Sequence, residues 1–165
     1  MLEKLIIDSS TLIALERADI ISLLDKLDCE IIISESVFNE VGNALKSCKR
    51  VKIEKLKGRS IKKSRSLEKI GLGKGEAECI ALALRGKLSF IVCDDRKLIR
   101  QIFFSRNSAI KNIKILGFSF ILHEFYKKNL INDVWRYFEQ IVEKCNWNRS
   151  EVQIANYTFL KEIGY

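Results

Sequence analysis

The sequence predicts an α/β fold in which helices cover both faces of a central parallel sheet. Between residues 4 and 116, short β-branched runs alternate with longer segments of helical periodicity, which is the pattern of successive βαβ units. Right-handed crossovers would bring the carboxyl ends of these strands to one edge of the sheet. The 165 residues include no proline, internal repeat or low-complexity linker, so we expect residues 1–165 to form a single domain.

The first βα unit stands at the start of the chain. Leu5 to Ile7 form an uninterrupted apolar run typical of a buried strand, and Asp8 with the three hydroxyl residues after it is typical of a helix start. Apolar periodicity predicts a helix over residues 10–27, and the polar residues 16–19 are where it could divide into two. Asp8 is therefore expected at the carboxyl end of a buried strand, where ligands and catalytic groups gather in open α/β sheets.

The next elements continue the same alternation. β-branched apolar runs predict buried strands at residues 29–33, 89–93 and 113–116. Helical periodicity predicts helices at residues 35–45, 76–84 and 97–104. Ser34 is the expected N-cap of the first of these helices, and Gly86 is expected to close the second. An alternating segment that begins at Val51 predicts one more strand, with a solvated face.

Residues 118–165 are predicted to form a helical C-terminal extension. Its helices are expected at residues 118–128, 131–146 and 149–162. Ser150 is a candidate N-cap of the last helix. Both tryptophans of the chain and several other aromatic residues lie in this extension, so we expect it to pack on the main domain or on a second copy of the chain.

The composition narrows the range of functions. Hydrophobic residues make up 47% of the chain and charged residues 30%, with no run long enough to span a bilayer, so a cytoplasmic location is expected. The five cysteines are scattered and include no CxxC pair, which argues against a disulfide scaffold and a zinc site. Cys79 and Cys93 are interpreted as small core residues. The single histidine, His123, stands among apolar residues and is not expected to be a catalytic acid or base.

The chain carries an excess of positive charge. It has 29 Lys and Arg residues against 21 Asp and Glu, a net charge of +8, and the excess is concentrated in residues 46–69. This charge predicts a polyanionic partner, either nucleic acid or an acidic protein segment. The basic stretch is interpreted equally as a solvated, mobile surface segment or as a phosphate-contacting one. The candidate contacts to RNA are Lys62, Lys63, Arg65, Lys74 and Arg96.

Acidic residues stand where predicted strands end and near the starts of predicted helices. Asp8 follows the first strand, Asp94 and Asp95 follow a later one, and Glu76 and Glu40 lie in early helical turns. Taken singly, each acid could equally be a helix cap or a solvated residue. Gathered at one edge they would repel one another unless a cation neutralised them, and an all-oxygen set suits Mg²⁺ or Mn²⁺. Such ions beside a basic surface predict phosphodiester chemistry.

Four ordered segments carry a family resemblance. IIDSSTLIAL, ISESVFNEV, GLGKGEAECIALAL and IVCDDRKLIR resemble the PIN-domain nucleases, and more closely the branch grouped with VapC-type toxins, the DUF3368 family. A GFSFILHEFYKKNLI segment followed by a helical tail extends the resemblance over nearly the whole chain. The resemblance implies a PIN-like three-layer α/β/α fold. It also implies a ribonuclease that prefers single strands and depends on Mg²⁺ or Mn²⁺.

The resemblance further implies which residues form the site. By position, the four acids of the family match Asp8, Glu40, Glu76 and one of Asp94 and Asp95. Asp95 is the better match, because the residues after it then align with the family. Ser10 matches a small polar residue that supports the first acid. Many PIN domains carry Asp at the third position, where this chain has Glu76. The family also implies homodimers and, for toxins, a cognate antitoxin.

The acids and the basic surface favour metal-dependent hydrolysis of phosphodiester bonds, and the resemblance implies an endoribonuclease of single-stranded RNA that is the toxin of a type II toxin–antitoxin system. As the resemblance implies, hydrolysis would leave a 5′-phosphate and a 3′-hydroxyl. The alternative is a non-catalytic PIN-like module that binds RNA or protein, against which the complete set of acids argues. A phosphotransfer domain would require a Ser or Thr and a Lys at later strand ends, which we do not find.

Overall fold

The core of the protein is a parallel sheet. The computed structural model describes residues 3–88, 90–104 and 108–165. Within them, the strands are β1 (Lys4–Ile7), β2 (Glu30–Ser34), β3 (Val51–Glu54), β4 (Phe90–Val92) and β5 (Lys114–Leu116). Every pairing is parallel and the order is β3-β2-β1-β4-β5. The predicted parallel sheet is confirmed. Ser89, the first residue of one predicted strand, lies outside the described residues.

β1 lies at the centre of the sheet. Ile6 is in register with Ile32 of β2 on one side and Ile91 of β4 on the other. Ile6 and Ile91 are fully buried, as expected of strands covered on both faces. The chain winds outward from β1 in one direction through β2 and β3, then in the other through β4 and β5. The gap between the ends of β1 and β4 is therefore a topological switch point, where open α/β sheets bind ligands.

Helices flank the sheet and complete the α/β/α arrangement. Their bounds are α1 (Ser9–Arg17), α2 (Glu35–Val41), α3 (Arg59–Glu68), α4 (Lys74–Gly86), α5 (Arg96–Phe104), α6 (Ser108–Lys111), α7 (Phe118–Lys127), α8 (Val134–Lys144) and α9 (Glu151–Glu162). α4 contacts β1, β2 and β4, and α3 packs on α4. α1 contacts α2, α7 and α8. The helices that precede and follow the central strands thus bring their ends to the switch point.

Among the described residues, α1, α4, α7 and α8 are each followed within two residues by a non-glycine residue with a positive φ, and the first two of these helix ends bear on the sequence predictions. The helix predicted over residues 10–27 divides, because Asp19 adopts φ 59° after α1 and a 3₁₀ helix follows at Ile21–Lys26. Gly86 is the last residue of α4, but Lys87, with φ 53°, takes the left-handed position that we expected of the glycine. At both ends an amide bonds back to a carbonyl five residues earlier, at 3.0 and 2.9 Å, which satisfies the helix terminus.

Two predicted N-caps are confirmed. The Ser34 hydroxyl accepts a hydrogen bond from the amide of Val37 at 3.2 Å, and the Ser150 hydroxyl accepts one from Gln153 at 3.1 Å. Each bond satisfies a backbone donor that the first helical turn leaves free. α2 is shorter than predicted, since it ends at Val41 and a 3₁₀ helix follows at Ala44–Ser47.

α3 was not predicted from the sequence, and neither was the short helix α6. α3 forms within the basic stretch of residues 46–69, after the short strand β3. Its buried face consists of Ser60, Ser64 and Leu67. These residues recur at helical spacing, but two of the three are serines, so no apolar stripe marks the helix in the sequence. Small side chains at this face let α3 pack closely on α4.

The C-terminal extension packs on the rest of the described chain. α7 contacts α1, α8 and α9, and α8 contacts α1. Phe118, Phe138 and Leu160 of the extension belong to the same buried cluster as the strands of the sheet. Within residues 3–88, 90–104 and 108–165, no helix combines the length and apolar character needed to cross a membrane.

Candidate active site

Asp8 is the buried acid at the switch point. It follows β1 directly, its amide bonds to the Val92 carbonyl of β4 at 2.9 Å, and its side chain is only 3% exposed. As N-cap of α1, its carboxylate accepts hydrogen bonds from the amide and hydroxyl of Ser10, at 3.4 and 3.1 Å. Burial nevertheless raises the pKa of Asp8 above its usual range. Ser10 therefore supports this acid, and its hydroxyl also accepts the Asp94 amide at 3.0 Å.

Two cysteine thiols also lie against Asp8. The Cys93 thiol donates to Oδ2 of Asp8 at 3.4 Å, and the Cys79 thiol points at Oδ1 at 3.9 Å. The Asp95 amide donates in turn to the Cys93 sulfur at 3.2 Å. Burial, reinforced by the charge of Asp8, raises the pKa of both thiols well above the usual cysteine value. The sequence interpretation of these cysteines as core residues is correct about burial but missed this contact.

Glu40 and Asp8 approach each other across a glycine. Gly75, in the first turn of α4, is buried between them. A Cβ on this residue would lie 3.4 Å from Oε1 of Glu40 and 3.8 Å from Oδ1 of Asp8. The absence of a side chain at Gly75 thus keeps open the space that the two carboxylates face.

Glu76 and Asp95 form a second pair of acids. The Oε2 atom of Glu76 accepts the Gly73 amide at 2.7 Å, which fixes the side chain over the first turn of α4. Glu76 also shares a hydrogen bond with the Asp95 carboxyl. Burial, followed by the negative charges of Asp95 and Asp8, raises the pKa of Glu76. Two carboxyl groups this close to each other are typical of a site that a cation would neutralise.

Asp94 faces the opposite way from Asp95. Its two oxygens accept hydrogen bonds from the Thr11 hydroxyl at 2.8 Å, the Asn156 amide at 2.9 Å and the Phe118 backbone amide at 3.1 Å. Burial raises the pKa of Asp94 to about 6. These donors lie on α1, α7 and α9, so Asp94 ties the extension to the site. Of the two candidates for the fourth acid, the structure directs Asp95 toward Glu76 and Asp94 into the core.

Glu78 has a structural role. It is buried, and its Oε2 atom accepts the Ser36 amide at 3.1 Å in the first turn of α2. The contact joins α4, which carries Glu76, to α2, which carries Glu40. Nothing in the sequence indicates this partner, because Ser36 is 42 residues away in the chain.

The comparison with known families bears on this arrangement of acids. The DUF3368 family, described as a PIN domain, matches residues 4–159. The chain belongs to this PIN-domain family. No curated protein and no solved structure matches it. PIN domains are generally nucleases that use divalent metal ions, so a nuclease-type function follows from family membership.

The donor set of this PIN domain fits a hard divalent cation. Asp8, Glu40, Glu76 and Asp95 offer only carboxylate oxygens, which Mg²⁺ and Mn²⁺ prefer. The acids approach in two pairs, Asp8 with Glu40 across Gly75, and Glu76 with Asp95 through a hydrogen bond. As they are placed in the described part of the chain, no three acidic, cysteine or histidine side chains form a closed metal-binding group. A cation between the pairs would relieve the repulsion that raises the pKa of Glu76.

The predicted RNA contacts of the PIN domain are spread over its surface. Lys74 is exposed in the first turn of α4, two residues before Glu76. Lys62 and Arg65 are exposed on α3, and Lys63 lines a hollow beside the C-terminal half of α4, away from Glu76. Arg96 forms an ion pair with Glu151 of α9. Arg96 directly follows Asp95 in the chain but is paired with Glu151, so Lys74 is the exposed cation of this set that lies nearest in sequence to one of the acids.

A hollow adjoins the acids on the side of Glu40. Its volume is about 540 Å³, and it lies between α1 and the end of α2. Its lining includes Ile13, Phe38, Asn39 and Asn43 besides Glu40. Of the four candidate acids, Glu40 is the one that lines this hollow.

Replacement of Gly75 by alanine is expected to weaken Mn²⁺ binding about 10-fold without loss of stability. The new methyl group would occupy the space between Glu40 and Asp8, at ordinary contact distances. Alanine is the better helix former, by about 1 kcal/mol, so the melting temperature should stay the same or rise. Calorimetric titration with Mn²⁺ and thermal unfolding measure the two effects. Gly86→Ala, at the other end of α4, is the control, and equal affinity in the two variants would contradict the prediction.

Proposed function

We propose that this PIN domain is a metal-dependent endoribonuclease that hydrolyses phosphodiester bonds of single-stranded RNA. The observation that supports the proposal most is the approach of four acids from separate elements at the switch point of the sheet. Asp8 follows β1, Glu40 lies in the last turn of α2, Glu76 lies in the first turn of α4 and Asp95 precedes α5. Such a concentration of carboxylates is unfavourable by itself, because like charges raise one another's pKa, and a cation offsets it.

In this proposal Asp8, Glu40, Glu76 and Asp95 hold Mg²⁺ or Mn²⁺. The bound ion would supply an activated water and neutralise charge on the phosphoryl oxygens. Ser10 and the buried thiols orient Asp8, while the Gly73 amide orients Glu76. Lys74, exposed beside Glu76, binds a phosphate of the strand. Cleavage leaves a 5′-phosphate and a 3′-hydroxyl.

We also propose that the protein is the toxin of a type II toxin–antitoxin system. In that role it would act in the cytoplasm as a homodimer, and a cognate antitoxin would cover the acidic groove. The net charge of +8 supports binding of both RNA and an acidic protein segment. The family match supports the PIN domain alone, and the toxin role is proposed from the resemblance of the sequence to the VapC-type branch.

Cleavage of labelled single-stranded RNA by the purified protein tests the proposal. Reactions with Mg²⁺ or Mn²⁺ are compared with reactions in EDTA and with the Asp8→Asn variant. Glu139→Gln, which neutralises an exposed acid on α8, is the matched control and should cleave at the wild-type rate. Activity that persists in EDTA would overturn the metal dependence. RNA binding without cleavage would favour the non-catalytic binding module.

Removal of one charge near the acids is expected to weaken RNA binding. Lys74→Gln should lower the affinity and reduce the slope of log K against log salt by about 0.7, the value for one phosphate contact on a single strand. Lys114→Gln is the control, because Lys114 begins β5 at the opposite edge of the sheet and the charge change is the same. Fluorescence anisotropy at several salt concentrations measures both. Equal slopes for the two variants would remove Lys74 from the RNA path.

A further inference from the structure

Cys93 joins the two acids that follow the central strands. Its sulfur lies 3.4 Å from Oδ2 of Asp8, to which the thiol donates, and 3.2 Å from the amide of Asp95, from which it accepts. The residue is only 1% exposed. One side chain thus contacts the first acid and the backbone of the fourth, across the gap between the ends of β1 and β4.

Cys79 approaches Asp8 from the other side. It lies on α4, one turn after Glu76, and its sulfur is 3.9 Å from Oδ1 of Asp8. Both thiols are oriented as donors to Asp8, Cys93 to Oδ2 at 3.4 Å and Cys79 to Oδ1 at 3.9 Å. A thiol is a weak donor. It can therefore orient a carboxylate while leaving most of the negative charge of the oxygens for a cation.

We infer that Cys93, assisted by Cys79, is a positioning residue of the metal site, whose thiol orients the Asp8 carboxylate relative to Asp95. The inference rests on the proposed function, since it concerns the same acids. Partners outside the ligand set commonly fix the orientation of metal-binding carboxylates, and their loss costs about 10- to 100-fold in metal affinity or activity. Cys93 occupies such a place, because it contacts two of the acids and would not itself bind the ion.

The test is Mn²⁺ titration of the wild-type protein and three variants by calorimetry. Cys93→Ala is expected to bind Mn²⁺ about 10-fold more weakly. Cys93→Ser should bind nearly as well as the wild type, because a hydroxyl can also donate to Asp8 and accept from the Asp95 amide. Val92→Ala is the matched control, because Val92 is also fully buried, on β4. Its truncation leaves a buried cavity, as Cys93→Ala does, but removes none of these hydrogen bonds.

Each outcome has one meaning. Equal Mn²⁺ affinity in Cys93→Ala and the wild type overturns the inference. So does an equal loss in Cys93→Ala and Val92→Ala, which would make Cys93 a packing residue. Loss in Cys93→Ser as large as in Cys93→Ala overturns the hydrogen-bonding role. A wild-type protein that binds no Mn²⁺ overturns the proposed function itself, and the inference with it.

The kinetics of RNA cleavage distinguish a positioning role of Cys93 from a packing role. Misorientation of Asp8 should lower kcat for RNA cleavage by about 10-fold and leave KM near the wild-type value, because Cys93 lies beneath the acids and is buried. Cys79→Ala should give a smaller loss in Mn²⁺ affinity than Cys93→Ala, since Cys79 has the longer contact with Asp8. A larger loss in Cys79→Ala would overturn the primary role given to Cys93.

Discussion

Replacement of Glu76 by glutamine is expected to lower RNA cleavage about 100-fold or more while making the metal-free protein more stable at neutral pH. A metal at a phosphoryl oxygen contributes several kcal/mol to the transition state, and each ~1.4 kcal/mol is a factor of ten in rate. Glutamine keeps the bond from the Gly73 amide and can donate to Asp95. The fold is therefore retained, whereas a charged ligand of the cation is lost.

The stability gain of Glu76→Gln should depend on pH with a definite sign. Burial and the charges of Asp95 and Asp8 raise the pKa of Glu76 in the folded protein. The contribution of Glu76 to the free energy of unfolding of the wild type is therefore fully present below the ordinary carboxyl pKa. It is lost as the pH rises through the raised pKa of the folded protein. Urea unfolding in EDTA should show the variant to be more stable at about pH 7 and equal to the wild type near about pH 4. A variant less stable than the wild type at neutral pH would contradict this account. In the same assays Asp8→Asn should be inactive, with the fold retained.

The second large effect is expected at Asp94. Its replacement by alanine should destabilise the protein by about 3 kcal/mol or more, because the buried donors of Thr11, Asn156 and Phe118 lose their acceptor. Asp95→Asn, one residue further along the chain, should abolish cleavage and leave the free energy of unfolding nearly unchanged. Urea unfolding and RNA cleavage measured on both variants test this separation of roles. Loss of cleavage in a stable Asp94→Ala protein would instead make Asp94 part of the catalytic set.

A glycine near Asp94 offers an independent check. A Cβ on Gly117 would overlap the Asn156 side chain, with its Cγ atom only 2.7 Å away. Asn156 is 4% exposed and also accepts hydrogen bonds from the amide and hydroxyl of Ser119, at 3.0 and 2.6 Å. Gly117→Ala should therefore destabilise the same network as Asp94→Ala. Non-additive losses in the double variant would show that the two residues act in one network.

The local signals in the sequence predicted most of the architecture. A β-branched run followed by Asp8 and hydroxyl residues specifies a buried strand and a helix start, and the structure has β1 and α1 at these places. Ser34 and Ser150 cap their helices because capping requires only a side-chain oxygen and an amide three residues later. These features depend on neighbours in the chain, so the sequence displays them directly. α3 escaped prediction because serines replace the usual apolar stripe at its contact with α4.

By itself, the sequence determined the parallel α/β fold, the family resemblance and the set of acids at the ends of strands and starts of helices. The resemblance already favoured Asp95 over Asp94, but only the tertiary structure gave Asp94 its buried partners, because the donors of Thr11, Phe118 and Asn156 are distant in the chain. It likewise brought the thiols of Cys79 and Cys93, 71 and 85 residues away in sequence, against Asp8. Periodicity and capping report on contacts within a few residues. Hydrogen bonds between distant segments form only after the sheet has determined which strand ends are neighbours. The orientation of each acid therefore depends on tertiary contacts, which the sequence does not display.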